Sequence, residues 1–223
     1  MKLTIYNGSP RGKNSNTKIL LDKFIRGYYS QEKYDINEFY LAARSQRIAG
    51  AKAFRESEVI LLAFPLYTDS MPGIVKEFIE LLGEYTAQAE NPKMAFLVQS
   101  GFPEPAHSRY IERYLARLCE RMHAEYLGTV VKGGVEGIKI MPPWMTRKLY
   151  RRFYKLGRHF AIHNELDDRI IRKLAPHEHL TPFRLFIFKL MQRSRMANFY
   201  WNNQLKENGV YEQRFDRPYA QSR

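Results

Sequence analysis

The chain carries near its start the stretch Asn7-Gly8-Ser9-Pro10-Arg11-Gly12-Lys13-Asn14-Ser15-Asn16-Thr17. A short apolar run, residues 3–6, precedes it, and an amphipathic segment, residues 18–25, follows it. These patterns predict a strand, a loop of small residues and a helix, in that order. The N–H groups at the start of such a helix can bind an anion. The stretch therefore predicts a site for a phosphate group.

The glycine spacing of this loop excludes two common nucleotide-binding motifs. A nucleotide-hydrolysing P-loop needs four residues between its glycines and a hydroxyl residue after its lysine, whereas three residues separate Gly8 from Gly12 and an amide follows Lys13. The three spaced glycines of a dinucleotide-binding loop are also missing from the sequence. The remaining hydroxyls and amides suit a terminal phosphate monoester. An ordinary turn in which Ser15 or Asn16 only caps the helix is the alternative interpretation.

A second apolar segment, residues 59–64, reads Val-Ile-Leu-Leu-Ala-Phe without polar alternation. This is typical of a strand that is buried on both faces of a parallel sheet. A loop at residues 65–73 and an amphipathic helix follow, with Ser70 expected to cap the helix and Pro72 to stand in its first turn. In open α/β sheets, ligands bind beyond the carboxyl ends of the strands, where the strand order reverses. We expect both loops at that point.

Apolar runs and amphipathic segments alternate along the chain. Strands are predicted at residues 2–6, 33–39, 58–64, 93–99 and 125–132, and helices at residues 16–29, 47–57, 72–86 and 107–123. A basic amphipathic segment that starts at Thr146 predicts a fifth helix. The alternation predicts a parallel sheet with helices on both faces.

The two loops together resemble those of the NADPH-dependent FMN reductases, and the chain is also similar to the iron–sulfur flavoproteins of the same fold. The resemblance covers roughly residues 1–132 and is specific because two separated motifs agree in order and context. It implies an α/β fold: a flavodoxin-like, doubly wound sheet of five parallel strands in the order 2-1-3-4-5, followed by a helical C-terminal extension.

The same resemblance implies which residues contact FMN. Those around its phosphate would be Ser9, Arg11, Ser15, Asn16 and Thr17. Those around its isoalloxazine ring would be Pro65, Leu66 and Tyr67 on one side and Ser100, Gly101 and Phe102 on the other. Arg11 and Lys13 are candidates to balance the phosphate charge, and Tyr67 and Phe102 to shape the ring pocket. No catalytic side chain and no metal ligand is expected, since the flavin carries the chemistry.

The chain departs from this family in two places. Its single cysteine, Cys119, cannot ligate a four-cysteine iron–sulfur cluster, and its position beside an apolar helix face predicts a buried, inert thiol. The second departure is the long C-terminal region. We expect a flavodoxin-like FMN-binding domain at residues 1–165 and a helical, basic extension at residues 166–223 that packs on the core or on a partner subunit.

Positive charge is concentrated in the last two-fifths of the chain. Residues 134–223 carry 18 Lys and Arg against 8 Asp and Glu, and the whole chain has a net charge of +13. Such a surface attracts nucleic acid, an anionic membrane or an anionic cofactor such as NADPH, although a solvated face is the commonest case. Nucleic acid is not the expected partner. Because the sequence shows no secretion signal, no membrane-spanning run and one cysteine, a cytoplasmic location is expected.

Three further segments carry alternatives. The apolar residues 182–195 are flanked by cations and are too short to cross a bilayer; packing or dimerisation is favoured, and peripheral membrane contact is the less favoured alternative. The glycine-rich residues 133–137 favour a turn over the close approach of a ligand. The stretch His177-Glu178-His179 favours a surface turn over a zinc site.

These inferences predict a flavoprotein oxidoreductase. It would be an FMN-dependent enzyme that takes electrons from NAD(P)H and passes them to a small acceptor of the quinone, nitroaromatic, ferric or flavin type. Two alternatives remain open: an electron carrier between proteins, and a basic membrane- or nucleic-acid-binding module with a vestigial flavin site. The resemblance also implies a homodimer or tetramer.

Overall fold

Five parallel strands form the central sheet of the computed structural model, which describes residues 2–31, 35–85, 92–192, 198–218 and 220. The strands are β1 (Leu3–Asn7), β2 (Ile36–Tyr40), β3 (Val59–Pro65), β4 (Lys93–Gln99) and β5 (Glu125–Lys132). Their spatial order is β2-β1-β3-β4-β5, and every pairing is parallel. The predicted fold class and strand order are confirmed.

Helices follow the strands in the predicted alternation. They are α1 (Asn16–Tyr29), α2 (Arg44–Ala53), α3 (Gly73–Leu82), α4 (Arg109–Arg121), α5 (Pro143–His163), α6 (Asp168–Leu174), α7 (Pro182–Gln192) and α8 (Phe199–Glu207). The predicted bounds agree with these within a few residues. The predicted strand start at residue 33 and helix end at residue 86 lie outside the described residues.

The sheet is covered on both faces because successive side chains of a strand point to opposite sides. Leu3 and Leu61 face a core layer built with α1, α5 and α6, whereas Tyr6 and Phe64 face a layer built with α2, α3 and α4. The central strand β3 is buried at all seven positions. Its continuous apolar sequence is the pattern expected of such a strand.

Helices α1 and α5 meet at backbone contact through two glycines. A Cβ atom on Gly157 would lie 1.9 Å from the carbonyl oxygen of Phe24, and one on Gly27 would lie 1.9 Å from that of Tyr154. No side chain fits at such a distance, so any larger residue at Gly27 or Gly157 forces the two helices apart. This contact holds α5 on the sheet beside the predicted phosphate loop.

Two helices begin at other residues than predicted. Pro72 is the N-cap of α3, and Ser70 lies in the preceding turn, so the expected capping role of Ser70 is wrong. Helix α5 begins at Pro143, three residues before the predicted Thr146. In both cases a proline already holds the backbone angle that a helix start needs.

The described residues form two compact units, residues 1–179 and residues 180–223. Helix α6 belongs to the first unit, where Leu174 is buried in the core layer that also contains α1 and α5. The predicted functional division after residue 165 stays a prediction. In the second unit, most apolar side chains of α7 are exposed, including Phe183 and Phe186. No helix formed by the described residues is long and apolar enough to cross a membrane.

Candidate functional site

The two loops singled out by the sequence lie at the same edge of the sheet. Strands β1 and β3 are neighbours, with Asn7 in register with Ala63, so their carboxyl ends meet. The N–H group of Gly8 continues this pairing by donating to the carbonyl oxygen of Ala63 at 2.7 Å. A Cβ atom on Gly8 would lie 2.4 Å from Cγ2 of Val75, so the first loop runs directly against α3.

A small cavity opens between these loops. Its volume is about 60 Å³, and its lining residues are Ser9, Arg11, Asn16, Pro65, Leu66, Tyr67, Gln99, Ser100, Gly101 and Glu136. Most of the residues predicted to contact FMN are therefore brought together. Ser15, Thr17 and Phe102 do not line the cavity.

Most polar side chains of the first loop form hydrogen bonds within the protein. Ser15 caps α1: its Oγ accepts from the N–H group of Lys18 at 3.0 Å and donates to the carbonyl oxygen of Gly12 at 2.7 Å. The Nδ2 group of Asn16 donates to the carbonyl oxygen of Val135 at 3.1 Å. The Oγ1 of Thr17 accepts from Nε2 of Gln99 at 3.2 Å. These bonds hold the loop in one shape.

Several donors of the loop stay available for an anion. The N–H groups of Asn16 and Thr17, the first two residues of α1, have no acceptor within the helix. Below them, Nδ2 of Asn7 is buried and has no partner among the described residues, while Oδ1 of Asn7 accepts from the N–H group of Ser9 at 3.1 Å. An anion at the start of α1 also interacts favourably with the helix dipole.

One ion pair stands at the mouth of the cavity. Nη1 of Arg11 lies 3.7 Å from Oε1 of Glu136, and the Arg11 side chain is 57% exposed. Glu136 is the only carboxylate among the lining residues of this cavity. Lys13, the second cation predicted to face a phosphate, instead lies over the ring of Tyr40, 5.4 Å from its centroid. Arg11 is therefore the one cation among the lining residues of this cavity.

The second loop closes into a tight turn. Tyr67 and Ser70 exchange two backbone hydrogen bonds, at 2.8 and 3.1 Å, and the two residues between them have positive φ angles of 49° at Thr68 and 59° at Asp69. Such angles are unfavourable for a β-branched residue, so the turn stores strain beside the cavity. Tyr67 is held at the rim, partly exposed.

Phe102 lies outside the lining of the cavity. Its ring packs against that of His107, with the centroids 4.9 Å apart and the ring planes tilted by 30°, and the residue is 56% exposed. Nδ1 of His107 lies 3.3 Å from Oδ1 of Asp69, which links this pair to the turn that carries Tyr67. The three residues lie beside the turn that carries Tyr67, and the predicted contact of Phe102 with the flavin ring stays a prediction.

Sequence reasoning missed Gln99 and Glu136 as cavity residues. Gln99 is a polar residue at the end of an otherwise apolar strand, next to the predicted Ser100, and this position was a usable signal. Glu136 lies in the glycine-rich stretch that favoured a turn. A Cβ atom on Gly133 would lie 2.6 Å from the carbonyl oxygen of Phe102, so this glycine lets two backbones meet and brings Glu136 to the cavity.

The remaining reactive-looking groups lie apart from the cavity. Cys119 is buried, and burial raises the pKa of its thiol to about 12, which keeps it protonated. Both oxygens of Glu178 accept from Arg109, at 2.8 and 2.9 Å, and this bonding lowers the pKa of the carboxyl. No cluster of three metal-binding side chains occurs in the part of the chain that the structure describes.

Comparison with known families identifies the fold independently. Residues 1–143 match the family described as "flavodoxin-like fold". The chain belongs to this family. The match spans both loops of the flavodoxin-like domain, so the family predicted from them is confirmed. A comparison with curated proteins finds no match.

Solved structures of flavodoxin-like enzymes are similar to this chain. The FMN-dependent NADH-azoreductase of Bacillus anthracis str. Ames Ancestor, solved in complex with FMN, is 14% identical with a TM-score of 0.55, covering 72% of this chain and 100% of that chain. The NAD(P)H:quinone oxidoreductase of Methanothermobacter marburgensis is 12% identical with a TM-score of 0.55, covering 72% and 96%. The general stress protein 14 of Treponema denticola, in complex with FMN, is 14% identical with a TM-score of 0.53, covering 72% and 97%. Such identities establish a shared fold.

Proposed function

We propose that this protein is an FMN-dependent NAD(P)H oxidoreductase that passes electrons to a small acceptor. The observation that carries the proposal is the cavity at the carboxyl ends of β1 and β3, where free helix N–H groups and Arg11 face the space beside Tyr67. In a flavodoxin-like sheet this is the point where strand order reverses and ligands bind.

The phosphate of FMN fits the first loop. The N–H groups of Asn16 and Thr17 are unsatisfied within α1, Arg11 supplies a positive charge, and the hydroxyl of Ser9 lines the cavity. The unpartnered Nδ2 of Asn7 adds a buried donor below the loop. Neither Lys13 nor a hydroxyl is placed as in a magnesium-dependent P-loop, so a phosphate monoester without a metal suits this site.

The isoalloxazine ring fits only at the mouth. The cavity of about 60 Å³ is far smaller than the several hundred Å³ that a ligand of flavin size fills. Most of FMN would therefore lie across the opening, against Tyr67 and Gly101. An open mouth would leave room for a nicotinamide or an acceptor to approach a flavin that is held there.

The side chains position the cofactor and do not perform acid–base chemistry. FMN, when bound, supplies the acceptance of hydride from NAD(P)H and the release of electrons. Leu66 and Pro65 would supply apolar contacts to a bound ring and exclude water from it, and Arg11 would compensate the phosphate charge. No lining side chain needs to move a proton for the hydride step.

The acceptor class is supported by the fold relatives named above, one an azoreductase and one a quinone oxidoreductase by name. We propose an acceptor of the quinone, nitroaromatic, ferric or flavin type, because an open site above a flavin ring admits small planar molecules. The homodimeric or tetrameric state and the cytoplasmic location stay predictions.

A visible spectrum of the purified protein tests the proposal. After incubation with FMN and gel filtration, we expect flavin absorbance in a 1:1 ratio, and anaerobic NADPH should bleach it. Ser9→Ala should weaken FMN binding, while Ser30→Ala, which removes the hydroxyl that donates to Gly27 at the other end of α1, should not. Bound flavin that NADPH does not bleach would identify an electron carrier instead. A protein that retains no flavin would overturn both readings.

A further inference from the structure

A wide basic groove borders the candidate FMN cavity. It runs between α1 and α5, has a volume of about 1190 Å³, and is lined by six cations: Lys13, Lys23, Arg26, Lys139, Arg147 and Arg151. None of its lining residues is Asp or Glu. The loop that leads from β1 to α1 separates the groove from the cavity, since it contributes Asn14 and Ser15 to the groove and Ser9 and Arg11 to the cavity.

The cations of this groove are not neutralised by the fold. None of the six forms an ion pair with a carboxylate of the described residues. Lys23 lies over the ring of Tyr150, 4.8 Å from its centroid, and Nζ of Lys139 donates to the carbonyl oxygen of Asn14. The sequence reinforces this: residues 137–164 contain no Asp or Glu. The electrostatic potential over the groove is therefore positive, and it attracts an anionic partner.

The rim of the groove is apolar and exposed. Ile140, Trp144 and Met145 are 45%, 76% and 51% exposed. Ile140 lies in the turn before α5 and Trp144 and Met145 lie in its first turn, so the three form an apolar tip at the start of this helix. Pro142 and Pro143 stiffen this tip. Lys139 and Arg147 flank it in sequence. A large apolar side chain held in water beside cations is the arrangement of a protein segment that inserts into a lipid headgroup layer.

We propose that this groove and its apolar tip dock on a bilayer that contains anionic lipids. The cations would bind the headgroups, and Trp144 and Met145 would enter the boundary between headgroups and acyl chains. A nucleic acid matches the charge equally well and can stack on Trp144. It offers nothing to the aliphatic side chains of Ile140 and Met145, whereas acyl chains bury them favourably.

Docking of this kind has a consequence for the candidate FMN cavity. The groove and the cavity share the loop that leads from β1 to α1, so docking of the groove would bring the cavity close to the bilayer surface. A lipid-soluble acceptor would then be within reach. The docking inference itself rests on the groove and not on the proposed cofactor.

Trp144 provides the readout that tests this inference. The chain has two tryptophans, so Trp201→Phe leaves Trp144 as the single reporter. With the full chain, vesicles of phosphatidylcholine containing phosphatidylglycerol should shift the Trp144 emission to the blue, and brominated lipid should quench it. Vesicles of phosphatidylcholine alone should produce neither effect, and added salt should weaken both. Sedimentation with vesicles would show binding but not which surface binds, because α7 is another exposed apolar segment.

Charge variants test the groove. The triple variant Lys23→Gln, Arg147→Gln, Arg151→Gln should lower partitioning onto anionic vesicles on the order of 100-fold, because each cation near such a surface contributes appreciably. The matched control Arg113→Gln, Arg117→Gln, Arg121→Gln removes the same charge from α4, which packs on the opposite face of the sheet. It should change partitioning less than about 5-fold. Circular dichroism confirms that each variant is folded.

Four results would overturn the inference. They are no partitioning onto anionic vesicles at low salt, partitioning that leaves the Trp144 emission unmoved, an equal effect of the α4 control, and a charge-dependent interaction with oligo-dT that vesicles do not reproduce. The second result would assign membrane contact to another surface of the chain. The fourth would assign the groove to nucleic acid.

Discussion

The candidate FMN cavity and the basic groove lie on either side of one loop and are built in opposite ways. Among the cavity residues, Arg11 pairs with Glu136, and Gln99 donates to Thr17 behind the lining. In the groove, the cations lack acidic partners among the described residues, and Trp144 stands in water. When the polar groups of a site are already fixed by hydrogen bonds within the protein, the site suits one small ligand in one orientation. A surface with unbalanced charge suits a broad anionic partner whose details vary.

The largest expected effect is a loss of stability at the contact between α1 and α5, the two helices that line the groove. Gly157→Ala would place a Cβ atom 1.9 Å from the carbonyl oxygen of Phe24 and push α5 from α1. We expect the free energy of unfolding to fall by about 3 kcal/mol, measured by urea denaturation. Gly73→Ala, where no atom lies within 4 Å, should change stability by no more than about 1 kcal/mol. Equal stability of both variants would mean that the groove walls are loosely packed.

The second largest effect is expected on FMN binding, at Arg11 in the cavity. Arg11→Gln removes the one positive charge that lines it, and we expect the dissociation constant of FMN to rise about 10-fold, as for a lost charge-assisted hydrogen bond. Fluorescence titration of FMN measures this. Lys52→Gln removes an equal charge from the far end of α2 and should leave the constant unchanged. If Lys13→Gln weakened FMN binding more than Arg11→Gln, the phosphate would lie on the groove side of the loop.

A smaller effect of opposite sign is expected at Glu136. Because its carboxylate lies 3.7 Å from Arg11, Glu136→Gln should free that cation and tighten FMN binding about 3-fold, the size typical of an exposed ion pair. The same titration applies. Glu125→Gln, at the start of β5, serves as the charge control. Weaker binding in Glu136→Gln would show that the carboxylate helps to hold the ligand.

The smallest effect concerns strain in the turn at the cavity rim. Thr68 has a φ angle of 49°, so Thr68→Gly should relieve an unfavourable conformation and raise the free energy of unfolding by about 0.5 kcal/mol after the entropy cost of glycine. Thermal unfolding followed by circular dichroism detects such a change. His123→Gly, at a φ angle of 51° after α4, should behave alike. A loss of stability in Thr68→Gly alone would show that the threonine side chain holds the turn.

Much of the fold followed from local patterns. The unbroken apolar residues 59–64 predicted a central strand, and the loop of residues 7–17 predicted the start of α1. Helix starts were less predictable. Pro72 takes the cap position expected of Ser70, and α5 begins at Pro143 instead of Thr146, because the fixed backbone angle of proline suits a helix start.

The site was predicted in part. Ser9, Asn16, Tyr67 and Gly101 line one cavity because loops that follow neighbouring parallel strands must meet. Ser15 and Thr17 are not among the lining residues, and their predicted contacts with the phosphate stay predictions. Their hydroxyls are taken by partners in the fold, for Thr17 the side chain of Gln99 on another strand, and no local pattern reports that choice.

By itself, the sequence determined the order of strands and helices, the two loops at the head of the sheet and the excess of positive charge, because each depends on neighbours along the chain. Only the tertiary structure decided that Glu136 faces Arg11, that Phe102 turns to His107, and that cations from α1 and α5 line one groove. Those contacts join residues far apart in the chain, and their geometry is set by how closely the helices pack on the sheet.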